Sequence, residues 1–116
     1  MASPVPTAAR VVLITAPDAT TARVLARAMV ERSIVACVNI VPGVTSVYRW
    51  KGTLEESAEA LMLAKTTAAR IGELEALLVE LHPYDTPECV VLEPAHVEAK
   101  YLRWLQAETG APPAGA

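Results

Sequence analysis

Residues 33 to 41 read Ser-Ile-Val-Ala-Cys-Val-Asn-Ile-Val, apolar at odd and even positions alike. Successive side chains of a strand point to opposite faces, so a strand with one wet face alternates apolar and polar residues. A run without alternation predicts a strand covered on both sides. Pro42-Gly43 then interrupts the run, as a bulge or bend would. Two covering layers are a large demand on 116 residues, which suffice for a single compact domain.

The flanking segments supply one layer. Arg10 to Ala16 is a short apolar, β-branched run ended by Pro17-Asp18, and reads as a buried strand. Asp18 stands at an N-cap position. After it, Ala22, Leu25, Ala26, Met29 and Val30 recur at helical spacing opposite Arg23, Arg27 and Glu31. Val44 to Trp50 continues extended, and Lys51-Gly52 offers a glycine for a hairpin turn.

Leu54 to Lys65 is composed of strong helix formers, whereas the hairpin signal before it favours a strand. Thr66 or Thr67 can cap a second helix with the stripe Ile71, Leu74, Leu77, Leu78 and Leu81, stopped at His82-Pro83. Cys89 to Leu92 is strand-like. Val97, Tyr101, Trp104 and Leu105 form one face of a short terminal helix.

With 54–65 as a strand, the order is β-α-β-β-α-β-α. This is an α+β, ferredoxin-like β-α-β-β-α-β sandwich with an extra C-terminal helix. Its first two helices cover only one sheet face. The unalternating run requires cover on the other, and the apolar surface at hand is a second copy of the chain, so a closed homo-oligomer is expected. The domain is expected over 9–109, with a disordered tail at 1–8 and a flexible one at 110–116, both rich in Pro and Ala.

Composition narrows the function. A hydrophobic share of 53% against 20% charged excludes global disorder. No apolar run approaches the ~18 residues of a membrane span. Met1 to Ala9 lacks a basic start and an apolar core, so no secretory signal is expected and the location is expected to be cytoplasmic. A net charge of −3, no basic cluster and no Phe argue against a nucleic-acid partner.

His82 is the side chain of greatest chemical interest. Pro83-Tyr84-Asp85-Thr86-Pro87-Glu88 follows it, and an imidazole with a carboxylate such as Glu88 suits Cu(II) or Zn(II). The plainer reading is a histidine at the negative end of a helix dipole. Cys37 and Cys89 lie in apolar runs without CxxC spacing and read as small buried hydrophobes. Lys65 reads as an edge lysine or a contact for an anion. Tyr48, Trp50, Tyr84, Tyr101 and Trp104 suit a rim or subunit contact. No nucleophile elbow or phosphate-cradling glycine loop is present, and Arg49 and Asn39 lack the phosphate loop an acyl-phosphate hydrolase requires, so the chain is not expected to be an enzyme.

Six segments in order resemble the CutA family of divalent-ion tolerance proteins. They are Thr15 to Asp18, Ala36 to Gly43, Ser46 to Gly52, Lys65-Thr66, His82 to Glu88 and Tyr101 to Leu105. The resemblance implies a ferredoxin-like homotrimer similar in architecture to the PII signalling proteins, with 54–65 as a strand. It also implies a role in tolerance to copper and other divalent ions, with no obligatory cofactor. Metal-binding members use a Cys in the first strand and two adjacent His, and here Ile14 and Leu81 leave only His82. Two readings follow. One is a tolerance protein with weak or altered copper binding through His82 and Glu88. The other is a PII-like regulatory or scaffolding trimer that takes a small anion or a protein partner in an intersubunit cleft, at Trp50, Lys65 and Tyr84.

Overall fold

The computed structural model describes residues 7–110, so the expected tails lie outside the described residues apart from Thr7, Ala8 and Gly110. The elements are β1 (Ala9–Ala16), α1 (Ala19–Glu31), β2 (Cys37–Trp50), β3 (Thr53–Thr67), α2 (Ile71–Leu81), β4 (Val90–Leu92) and α3 (Ala99–Glu108), with a single 3₁₀ turn before α2. The strands form one antiparallel sheet in the order β2-β3-β1-β4. This is the ferredoxin-like arrangement with an added helix. Residues 54–65 are strand, so pairing with β1 on one side and β2 on the other overrides their helix propensity.

The unalternating run resolves into two pieces. Asp18 caps α1 as expected, its carboxylate accepting from the Thr21 amide at 2.7 Å. At the other end Ser33 takes φ +58°, and the amides of Ser33 and Ile34 bond to the Val30 and Met29 carbonyls at 3.0 and 2.9 Å. That is a Schellman stop, and it turns Ile34 into the core beside Met29. Ile34, Val35 and Ala36 are therefore a buried connection rather than strand, and β2 begins only at Cys37. From there β2 alternates, with Val38 and Ile40 against the core and Cys37, Asn39 and Val41 on the other face. Pro42-Gly43 is a bulge, marked by the register shift between Val41 and Val44.

Both faces of the central strands are nonetheless apolar. One carries Val12, Ile14 and Ala16 of β1 with Ala60, Met62 and Ala64 of β3, buried under α1 and α2. Alanines at four of the sheet and helix contacts, Ala16, Ala22, Ala60 and Ala64, are fully buried there and leave room for Met29, Leu25, Leu74 and Leu77. Each of those larger side chains contributes roughly 1.5–3 kcal/mol by leaving water.

Among the described residues, the opposite face is covered only at one end, where Leu105 of α3, with Val97 and Leu102, packs on Ala9 and Ala36. Tyr101 and Trp104, on the same helix, lie against each other with ring centroids 5.4 Å apart and tilted, and keep 40% and 42% of their surface exposed within the chain. The rest of the face, Val11, Leu13, Leu61 and Leu63, is half-buried, and its flanking Val90 and Leu92 are exposed.

The long β2–β3 hairpin closes through Lys51 (φ +49°) and Gly52 (φ +83°). A Cβ at Gly52 meets no neighbour, so the cost of Gly52→Ala is backbone strain alone. Its expected value is about 1 kcal/mol in urea unfolding, whereas Lys51→Gly is expected to be neutral or slightly stabilising.

Candidate functional site

The site is built where the chain leaves α2. Pro83 forces His82 out of the helix, to φ −74°, ψ 133°, and the ring folds back under the sheet, only 7% exposed. Its Nε2 lies 2.8 Å from the Thr15 carbonyl, which accepts only, so Nε2 carries the proton and donates. Its Nδ1 lies 3.1 Å from the Tyr84 amide, which donates only, so Nδ1 accepts. Both ring nitrogens are engaged, and the ring is the neutral Nε2–H tautomer. The imidazole ties the end of β1 to the turn that follows α2.

Tyr84 carries the connection onward. Its ring lies 4.8 Å from that of His82, and its hydroxyl donates to Glu59 Oε2 at 2.6 Å. Glu59 is the one acid in the buried half of β3 and is only 8% exposed. Burial and the bond to the Glu59 carboxylate raise the Tyr84 phenol far above its ordinary value of 10.0. A raised pKa means the folded state holds the neutral phenol. This stability is complete below pH ~10, where the unfolded phenol is still protonated, and is lost as pH rises toward the native pKa. In an alkaline titration followed by phenolate absorbance, Tyr84 is expected to stay neutral until the chain unfolds. Tyr84→Phe is expected to remove one late-ionising phenol and to flatten the fall in stability above pH ~10.

Tyr84 and Glu59 form one wall of a cleft of about 740 Å³. Its other wall is the outer half of the hairpin, with Ser46, Val47, Tyr48 and Trp50; Thr15 and the turn Pro83 to Glu88 complete it. Glu59, Asp85 and Glu88 face it, and no Lys or Arg lines it. Ser46 and Tyr48 pair with Ser57 and Glu55 on the same face as Glu59, so the cleft opens on the sheet face that α3 leaves bare.

Among the expected site residues, the structure brings Trp50, Tyr84 and Glu88 together at the cleft and leaves the other two elsewhere. His82 is buried behind the cleft as its support. Lys65 is at the far end of β3, its Nζ 3.8 Å from Cys37 Sγ, so Trp50, Tyr84 and Lys65 do not form one anion site within the chain. Cys37 is thus half-exposed beside an ammonium group, not a buried hydrophobe. Cys89 packs against the core, where burial, then Glu75 and Glu88, push its thiol up and suppress the reactive thiolate. Asp85 was read among the carboxylates of the 83–88 turn, whereas sequence reasoning missed Glu59. A lone acid between Ala58 and Ala60 at the edge of an apolar strand was the available signal for Glu59.

A resident metal ion does not fit His82. A ligand nitrogen needs a free lone pair, and the Tyr84 amide occupies the one that His82 has. Among the described residues, no three His, Cys, Asp or Glu side chains converge as a metal-binding group.

The sheet order, the two helices on one face, the half-bare opposite face and the acidic cleft define a small ferredoxin-like α+β domain with a cleft at one end of its sheet. The CutA1 divalent ion tolerance protein family model matches residues 10–108. The chain is 49% identical over 100 residues to the divalent-cation tolerance protein CutA of Thermus thermophilus, covering 86% of this chain and 97% of the relative. It is 45% identical over 101 residues to its Escherichia coli namesake, covering 87% and 90%. The solved Thermus thermophilus structure superposes with a TM-score of 0.86 at 48% identity, covering 88% of this chain and 99% of that one. The chain belongs to the CutA family of divalent-cation tolerance proteins.

Proposed function

We propose that this chain serves divalent-cation tolerance, copper included, as a homotrimer in the cytoplasm, and that it does so without a resident copper ion at His82. Family membership over nearly the whole described chain supports the tolerance role. The bare apolar face of the sheet supports the oligomer, since Val11, Leu13, Leu61 and Leu63 need a cover that the described residues do not provide. Copper contacts in this reading are weak and fall on exposed carboxylates such as Glu88, with His82 holding the turn beneath them. The tolerance role is tested by expressing the chain in cells lacking their own tolerance protein and measuring growth under copper, zinc and cobalt. Restored growth is the expected result, and growth identical to the empty control overturns the reading. Fractionation of the same cells reads the location. An anion-binding, PII-like role has no support in a cleft faced by three carboxylates and no cation.

A further inference from the structure

We propose that an ordered water molecule is built into the seat of α3, bonded to Thr67 of β3, Gln106 of α3 and Thr7 just before β1. Other buried side-chain oxygens of the described residues are paired. Thr66 and Thr109 are wholly withdrawn from solvent, and their hydroxyls donate to the Ile34 carbonyl at 2.6 Å and the Leu105 carbonyl at 2.9 Å. Thr67 Oγ1, Gln106 Oε1 and Thr7 Oγ1 are the exceptions: each is buried, and none has a protein partner. A buried oxygen left unmet carries its full desolvation penalty, so three of them need a common explanation.

The fold brings the three to one place. Thr67 is the register partner of Ala9, so the two side chains share a sheet face. At this end that face is covered by α3, whose Leu105 packs on Ala9 and Ala36. Gln106 is the next residue and also lies on the inner side of the helix, only 6% exposed. Arg70 pins the end of α3 over the end of β3, its Nε donating to the Thr109 carbonyl at 2.8 Å. Thr7 is at the same end of the sheet, because the Ala68 amide beside Thr67 donates to the Ala8 carbonyl beside Thr7 at 2.7 Å. Ala9 and Ala36 present only a methyl group each to the helix above them.

Water matches the chemistry of the set. Gln106 Oε1 accepts only, which disfavours an anion, and a threonine hydroxyl either donates or accepts. One water donates to Gln106 Oε1 and completes its bonds with the two hydroxyls, and about three such bonds are usual for a buried water. Thr67 is 0% exposed within a single chain, so its missing bond is not left for a partner subunit to make. The helix is thereby docked through a shared water as well as through Leu105.

The test is a high-resolution crystal structure of the full-length chain, with magnetic relaxation dispersion of the water signal in solution. Density for a water within about 2.7–3.2 Å of Thr67 Oγ1, Gln106 Oε1 and Thr7 Oγ1 is expected. Thr67→Val combined with Gln106→Met removes two of its three partners at nearly constant volume, and is expected to lose about one long-lived water per chain. Each single variant is expected to lower the urea midpoint. The pair is expected to lower it by less than the sum of the two, because no unmet partner is then left behind. A dry gap, a Gln106 amide turned over and bonded directly to the protein, or an ion at short metal–oxygen distances overturns the proposal. So do additive midpoint shifts with an unchanged count of long-lived waters. If the variants do not fold, the wild-type structure alone decides between these outcomes.

Discussion

His82→Ala is expected to lower stability by about 2–4 kcal/mol while leaving the Cu(II) titration of the protein unchanged. The ring is almost fully buried and holds two backbone groups of different segments, the Thr15 carbonyl and the Tyr84 amide. Its removal leaves both groups without partners, at about 1–3 kcal/mol each if water cannot reach them. The cleft beside Tyr84 admits water to that amide, which puts the total below the sum of two such losses and a ring-sized cavity. The turn from Pro83 to Glu88 then loses its anchor, and with it the Tyr84–Glu59 bond. His82→Gln, which can offer one donor and one acceptor, is expected to recover part of the loss. Urea unfolding at fixed protein concentration reads the first effect, since the proposed oligomer would make the midpoint concentration-dependent. Calorimetry of Cu(II) into wild type and variant reads the second. An unchanged midpoint with lost copper binding would reverse the assignment and make His82 a ligand.

The contrast between this histidine and the rest of the chain shows what the sequence made legible. Strands and helices whose apolar positions repeat at period 2 or 3.6 were readable because the signal is local: Asp18 at the start of α1 and Pro83 at the end of α2 both stand where the residue types require. The Ser33 to Val41 run misled in part because burial, not strand geometry, makes Ile34 and Val35 apolar; the left-handed Ser33 that separates the two is a one-residue event without periodicity. Leu54 to Lys65 could not be settled by propensity, since its strand state depends on pairing with β1, some 50 positions away, and on β2. The site was legible as residue types but not as geometry. Nothing local in the sequence shows that Thr15 and Tyr84 converge on the same ring, or that Glu59 is withdrawn from water under Tyr84. Those are long-range contacts, and they turn a candidate ligand into a support and an unremarked acid into the centre of the cleft.

Leu63→Glu carries the second large expectation: a fall in solution mass from three chains to one. The wild-type chain is expected to scatter light at three times its 12.3 kDa mass. Leu63 lies mid-sheet, opposite Leu13 of β1 and Asn39 of β2, on the face that α3 leaves bare. Within one chain it is only half-buried, so a glutamate there can reach water and the subunit still folds. In a trimer closed through this face the same position would have no water to reach. An uncompensated charge in such a contact costs several kcal/mol, and threefold symmetry repeats it in every subunit, so no single adjustment relieves it. Val79→Glu is the matching control, because Val79 is 85% exposed on the outer side of α2 and the same charge there is expected to leave the mass unchanged. If Leu63→Glu keeps the wild-type mass, the sheet face is not the contact and the oligomer closes through another surface. If the wild type is itself a monomer, the half-covered apolar face must be tolerated in water, and the reason for expecting a trimer is gone.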